Sequence, residues 1–273
     1  MAAKSLTIQD LSITLIEPSP TQKKIISNHL ESLGVSRSQW FQEGSSCLES
    51  LKTSFKPDLI ISAMYLPDMS GTELVQSLKN DPDLDSIPFM LISSEISDYY
   101  LEPIRQAGVV AILPKPFDLN ELRNALYATV DFLEPDTDAL EDFDIEELRV
   151  LLVDDSLSAR KHIIRILNSL GIENITETIN GKEAIDQLES DFFNLIVTDY
   201  NMPEMDGREL IDYVRGQSNQ SSIPVLMVTS DSENSHLAGI KQSGISAICD
   251  KPFEPKMVIS LIKKILSSSS HVI

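Results

Sequence analysis

The chain has 273 residues, enough for one large domain or two ordinary ones, and carries a net charge of -20 at pH 7 with a sequence pI near 4.5. So acidic a balance argues against nucleic acid or an anionic membrane as the main partner. Cys47 and Cys249 form no disulfide framework or metal finger, no apolar run is long enough to span a bilayer, and the N-terminal MAAKSLTIQD has no signal-peptide core, so the expectation is a soluble cytoplasmic protein.

Taken in order, the same series of elements is written twice. Residues 13–20 (ITLIEPSP) align with 150–157, and Leu33-Gly34 aligns with Leu170-Gly171 at the same offset. Residues 58–71 (DLIISAMYLPDMSG) align with 194–207, 89–94 (FMLISS) with 225–230, and 114–117 (PKPF) with 250–253. The offset slips by one residue between Gly34 and Asp58. Each copy is the size of an ordinary domain, which divides the chain into 1–134, a stretch 135–147 and 148–273. That middle stretch follows EPDTDALEDFDIEE from 134, rich in acids and without lysine or arginine, and reads as a solvated linker. The competing reading is a helix that uses Leu140, Phe143, Ile145 and Leu148 to dock one domain on the other.

In the second copy, short apolar runs at 150–153, 175–178, 195–198, 225–228 and 247–249 read as buried strands. Between them lie helical patterns: one capped by Ser156 and running to Leu170, with Ile163, Leu167 and Leu170 on one face, then 182–188, 208–215 and a more polar 233–242. A last helix, 255–266, turns Val258, Leu261, Ile262 and Ile265 inwards, and 267–273 reads as a frayed tail. Alternation of this kind gives a doubly wound α/β fold with parallel strands, so the strand ends converge on one edge.

Those ends carry Asp154 and Asp155, then Asp199, then Thr229, then Lys251. Carboxylates gathered at one point repel, and one protonates unless a cation neutralises them. Ligands that are all oxygen suit Mg2+ rather than zinc, and His162 and His236 read as surface residues of their helices. Lys251 is either a plain salt-bridge partner of Asp199 or a clamp for an anion formed in a reaction, and Thr229 either ends its strand or donates to that anion. Acids, a divalent cation, a lysine and a hydroxyl around one aspartate are what phosphoryl transfer requires.

An acid pair after the first strand, DYNMPEMDG after the third, TS after the fourth and KPF after the fifth resemble the receiver domains of two-component response regulators. The resemblance covers essentially the whole second copy. It implies the flavodoxin-like (βα)5 fold, strand order 2-1-3-4-5, in each copy. It also implies Asp199 as phosphoacceptor, Asp155 as a direct Mg2+ ligand, Asp154 as one through water, and Asn201 as a carbonyl ligand. Thr229 and Lys251 would hold phosphoryl oxygens, with a cis Lys251-Pro252 bond. The implied donor is a phosphohistidine on a sensor histidine kinase or phosphotransfer protein. The implied output is contact with a downstream protein target, or a homodimer, through the 231–266 face. Ile248 stands where receivers usually carry Tyr or Phe, which leaves an aromatic switch without its ring.

The first copy keeps the pattern and loses the chemistry. Ala63 replaces Asp199, and Glu17 and Pro18 replace the acid pair, while Ser93 and Lys115 remain, with Lys115 expected to lack its carboxylate partner. Asp58 and Asp68 fall before the third strand and in the loop beyond it, so neither substitutes. Residues 1–134 therefore read as a pseudo-receiver, a binding or dimerising module with Trp40, Tyr99 and Tyr100 as interface anchors, as core or as exposed by chance. Two other readings are a regulatory fragment whose effector domain is missing and a Mg2+-dependent phosphatase of similar topology. The phosphatase would want an aspartate where Asn201 stands.

Overall fold

The structure, a computed structural model, describes residues 5–53, 56–95, 97–140, 145–229, 245–251, 253 and 255–269. The chain divides into two compact units, Met1–Glu134 and Pro135–Ile273. The first runs β1 (Ser12–Ile16), α1 (Pro20–Ser32), β2 (Arg37–Phe41), α2 (Gly44–Thr53), β3 (Leu59–Ala63), α3 (Gly71–Asn80), β4 (Phe89–Ser93), α4 (Asp98–Gln106), β5 (Ala111–Pro114) and α5 (Leu119–Leu133). The second runs β6 (Arg149–Val153), α6 (Leu157–Ser169), β7 (Asn174–Thr178), α7 (Gly181–Ser190), β8 (Leu195–Asp199), α8 (Gly207–Gly216), β9 (Val225–Thr229), β10 (Ala247–Asp250) and α9 (Pro255–Ser269).

Each unit holds one parallel sheet, ordered β2-β1-β3-β4-β5 and β7-β6-β8-β9-β10. This is the expected flavodoxin-like order, 2-1-3-4-5, twice. Burial explains why the runs are strands. Every residue of β3, β4, β8 and β9 is buried, as helices covering both sheet faces require, whereas edge strand β2 is largely exposed and edge strand β7 is buried only at Thr178. Helix starts repeat too: Ser19 accepts from the Gln22 N–H, and Ser156 from that of Ala159. Ser70 with Glu73, and Asp206 with Glu209, close capping boxes on α3 and α8. Helices α2 and α7 are both 10 residues long, so the one-residue slip lies in the turn leading into β3.

Several expectations change. Residues 138–140 form a 3-10 turn against α9 of the same unit, with Leu140 and Leu148 buried and Ile145 half-buried against Gly171. These apolar side chains fold onto the second unit instead of lying in a solvated linker; Phe143 lies outside the described residues. His162 is buried, not superficial, with Nε2 3.3 Å from the Phe253 carbonyl oxygen, because α6 packs a wide stripe including Ala159, Arg160 and Ile166. Helix α9 continues through Ser269, past the expected end at Leu266. The polar helix at 233–242, His236, Ser230, Pro252 and most of the connection within the 231–266 face lie outside the described residues. The matching Lys115-Pro116 bond of the first unit is cis.

Leu140 makes the docking testable. Leu140→Ala should lower the stability of the second unit by about 2–3 kcal/mol in urea unfolding, the cost of emptying a closed apolar site. An unchanged midpoint would return residues 138–140 to a solvated connection.

Candidate functional site

The strand order of the second unit reverses between β6 and β8, and the carboxyl ends of those two strands open a crevice. Register then decides what meets there. Val153 pairs with Thr198, Asp199 with Val228, and Thr229 with Asp250. The next residues on the outer two strands, Asp154 and Lys251, are thereby brought to either side of Asp199.

Lys251 Nζ lies 3.0 Å from Asp199 Oδ2 and 3.3 Å from Asp154 Oδ2, with all three side chains buried. Asp199 Oδ1 accepts from the Tyr200 N–H at 2.7 Å, and Asp154 Oδ1 from the Ser156 N–H at 2.8 Å. Oxygens of Asp154, Asp155 and Asp199 lie within 4.8 Å of one another, with Asp155 the exposed member. Three carboxylates against one ammonium leave two uncompensated negative charges. Burial is the main cause that pushes Asp154 up to about 6; Lys251 opposes it and Asp199 adds to it. Burial would by itself lower Lys251, but Asp199 and Asp154 outweigh it and the pKa is raised. An all-oxygen cluster with that charge deficit fits a hard divalent cation.

Thr229 is buried at the end of β9, and its carbonyl accepts from the Lys251 N–H at 2.8 Å. Asn201 sits exposed in the loop after β8. Ile248 is half-buried beside the core of its unit. Glycine is obligatory at the start of α8: a Cβ on Gly207 would overlap the Asp199 carbonyl oxygen, while the Gly207 N–H donates to the Tyr200 carbonyl at 2.9 Å. The loop that aims Asp199 is thus closed by an atom that is not there. Arg160 was not singled out in the sequence, yet its Nη1 donates to the Asp154 carbonyl at 2.7 Å and its Nε to Glu177 Oε2 at 3.0 Å. A basic residue six positions after an acid is too common on helices to have signalled this.

The first unit answers differently at the same place. Lys115 does have a carboxylate partner, Glu17, at 3.0 Å. The longer Glu side chain spans the gap that Ala63 leaves, which sequence alignment by position did not anticipate. One carboxylate faces one ammonium, so no charge deficit remains for a cation, and Pro18 offers no ligand. Asp68 accepts from the Gly44 and Ser45 N–H groups and caps α2. Asp58 accepts from the Ser12 N–H and hydroxyl. Both are structural. Trp40 is exposed but anchored, its Nε1 donating to the Glu17 carbonyl at 2.9 Å, and Tyr99 and Tyr100 are exposed.

Comparison with known proteins agrees with this geometry. The family model for the response regulator receiver domain matches residues 13–127 and again 150–263. The chemotaxis protein CheY of Pseudomonas aeruginosa is 35% identical over 118 residues, covering 43% of this chain and 95% of that protein. CheY1 of Helicobacter pylori is 31% identical over 123 residues, covering 45% and 99%. The solved structure of chemotaxis response regulator CheY4 of Vibrio cholerae is 31% identical, covers 43% of this chain and 98% of that one, and has a TM-score of 0.40. The chain belongs to the response regulator receiver family, with two receiver domains in tandem, and its function is that of a two-component response regulator. No helix among the described residues is long and apolar enough to cross a membrane.

Two substitutions test the local account. Gly207→Ala should destabilise the second unit by about 2 kcal/mol or more, as a steric overlap with backbone, whereas Gly216→Ala, with nothing near its Cβ, should be neutral or stabilising by about 0.5–1 kcal/mol. Lys115→Met should cost the first unit about 2 kcal/mol by stranding the buried Glu17 carboxylate, and Glu17→Gln should cost less. Chemical denaturation of the full chain, read separately at Trp40 and at second-unit NMR resonances, measures both.

Proposed function

We propose that Asp199 is the phosphoacceptor of this response regulator and that its chemistry is confined to residues 148–273. The observation that carries this is the buried Lys251 ammonium shared by Asp199 and Asp154, with Asp155 alongside. The donor is a phosphohistidine on a sensor histidine kinase or phosphotransfer protein. An Asp199 oxygen attacks the phosphorus in line; the P–O bond forms as the P–N bond breaks, and the imidazole nitrogen leaves with the electron pair and is then protonated. Lys251 and the Thr229 hydroxyl hold the transferred oxygens. Asp155, Asp199 and the Asn201 carbonyl, with Asp154 through water, would hold Mg2+, which when bound would offset charge on those oxygens.

Residues 1–134 act as a pseudo-receiver whose site is neutralised internally by Glu17 and Lys115, and 135–147 connects the two domains. The output is a contact through the 231–266 face, with a downstream protein in the cytoplasm or with a second copy of the chain, without nucleic acid or membrane. Asn201, standing where a phosphatase of this topology would carry a second acid, favours acceptance of one phosphoryl group over turnover of an external substrate.

With acetyl phosphate and Mg2+, the full chain should take up one phosphoryl group, on Asp199. Mass spectrometry should find none in Asp199→Ala and no second one in Ala63→Asp, since Pro18 gives no ligand there and Glu17 occupies Lys115. Label surviving in Asp199→Ala would overturn the assignment, and label on residue 63 of the second variant would overturn the metal argument.

A further inference from the structure

The same backbone atom is tied down in both domains, by different chemistry. In the second, the Asp154 carbonyl accepts from Arg160 Nη1 at 2.7 Å, and Arg160 is itself held by Glu177 at 3.0 Å. In the first, the matching Glu17 carbonyl accepts from Trp40 Nε1 at 2.9 Å. The positions correspond by register: Leu15 pairs with Trp40 across β1 and β2, and Leu152 with Glu177 across β6 and β7. Lys23 occupies the place of Arg160, and its Nζ lies 5.7 Å from the centre of the Trp40 ring. The donor has therefore changed sides, from helix to edge strand, and the ion pair behind it has become a cation–π contact. Two independent solutions for one carbonyl mark a requirement at that atom, since the residue that carries it is buried in both domains and its carbonyl needs a donor from the protein.

We infer that Arg160 is a positioning residue for the metal-binding acids, acting through the Asp154 carbonyl. Fixing that carbonyl fixes the peptide plane joining Asp154 to Asp155, and hence the direction in which both carboxylates leave the chain. Lysine cannot replace Arg160, because a single ammonium lacks the fork that serves a carbonyl and a carboxylate at once. The first domain illustrates this: with lysine there, tryptophan makes the bond. Glu177 orients the guanidinium and is secondary. The inference rests on the reading of Asp154 and Asp155 as Mg2+ ligands, and the experiment separates the two.

Mg2+ affinity of the full chain is measured by titration calorimetry, with the Asp154 carbonyl 13C shift recorded in metal-free protein. Arg160→Lys should weaken Mg2+ binding about tenfold, the lower end of the effect of losing a partner behind the ligands, and move the carbonyl resonance. Glu177→Gln should change affinity less than threefold. The double variant Arg160→Lys with Glu177→Trp, which copies the first domain, should recover most of the affinity and return the carbonyl shift, with its new indole N–H slow to exchange. Unchanged Mg2+ affinity in Arg160→Lys would overturn the inference, as would Glu177→Gln matching its loss or a double variant that recovers nothing. A wild-type chain that binds no Mg2+ would bring down the metal reading and this inference together, an outcome distinct from wild-type binding that Arg160→Lys leaves intact.

Discussion

Everything specific to this protein turns on one buried ammonium held between two carboxylates. Lys251 comes from the strand farthest along the sheet, Asp154 from the first, and Asp199 from between them, so their meeting requires the whole strand order to be right. Burying three charges is costly unless each finds a partner. Here the acids outnumber the base, and the imbalance appears in the upward shift of Asp154. A stabilising ion pair would have been balanced. One left short of positive charge, beside an exposed third acid, fits the cation and then the anion of the proposed phosphoryl transfer.

The first domain is an internal control for that argument. It has the same strand order, matched helix caps and an equally buried core, yet Glu17 and Lys115 satisfy each other where the second domain leaves charge unsatisfied. The fold therefore does not depend on the site's charge surplus, and the site is an addition to a scaffold that stands without it. Losing the acceptor at Ala63 alone would have stranded Lys115 in a partly buried pocket. A glutamate one strand away, with one more methylene than aspartate, closes the gap. The site of the first domain is satisfied internally rather than left open.

Much of this was legible in the chain, and the parts that were not share a cause. Apolar runs such as LIVT at 195–198 are long enough and buried enough to be read as strands, and the internal repeat gave each a second witness. Strand-end residues then identified Asp154, Asp155, Asp199, Thr229 and Lys251, because a parallel sheet gathers such ends without further information. What escaped were contacts fixed by side-chain length and by helix orientation: Glu17 reaching Lys115, His162 turned inwards, Arg160 reaching back to a carbonyl. Leu140 was weighed only as part of a docking helix, because apolar residues so spaced among acids fit no clean period. Asn201 was given its role by resemblance alone, and pattern would have left it as a loop residue.

The substitution at Ile248 bears on how charge at Asp199 is felt elsewhere. A ring at that position can stand inside or outside the core, whereas an isoleucine offers a short branched side chain, and Ile112 repeats it in the first domain. Backbone joins the site to the neighbouring strand in both domains: the Lys251 N–H bonds the Thr229 carbonyl at 2.8 Å, and the Lys115 N–H bonds the Ser93 carbonyl at 2.7 Å. Because the link is present in both domains, it cannot itself be the switch. The difference is that Lys115 faces Glu17 alone, while Lys251 is shared between Asp154 and Asp199, whose charge the proposed phosphorylation would change.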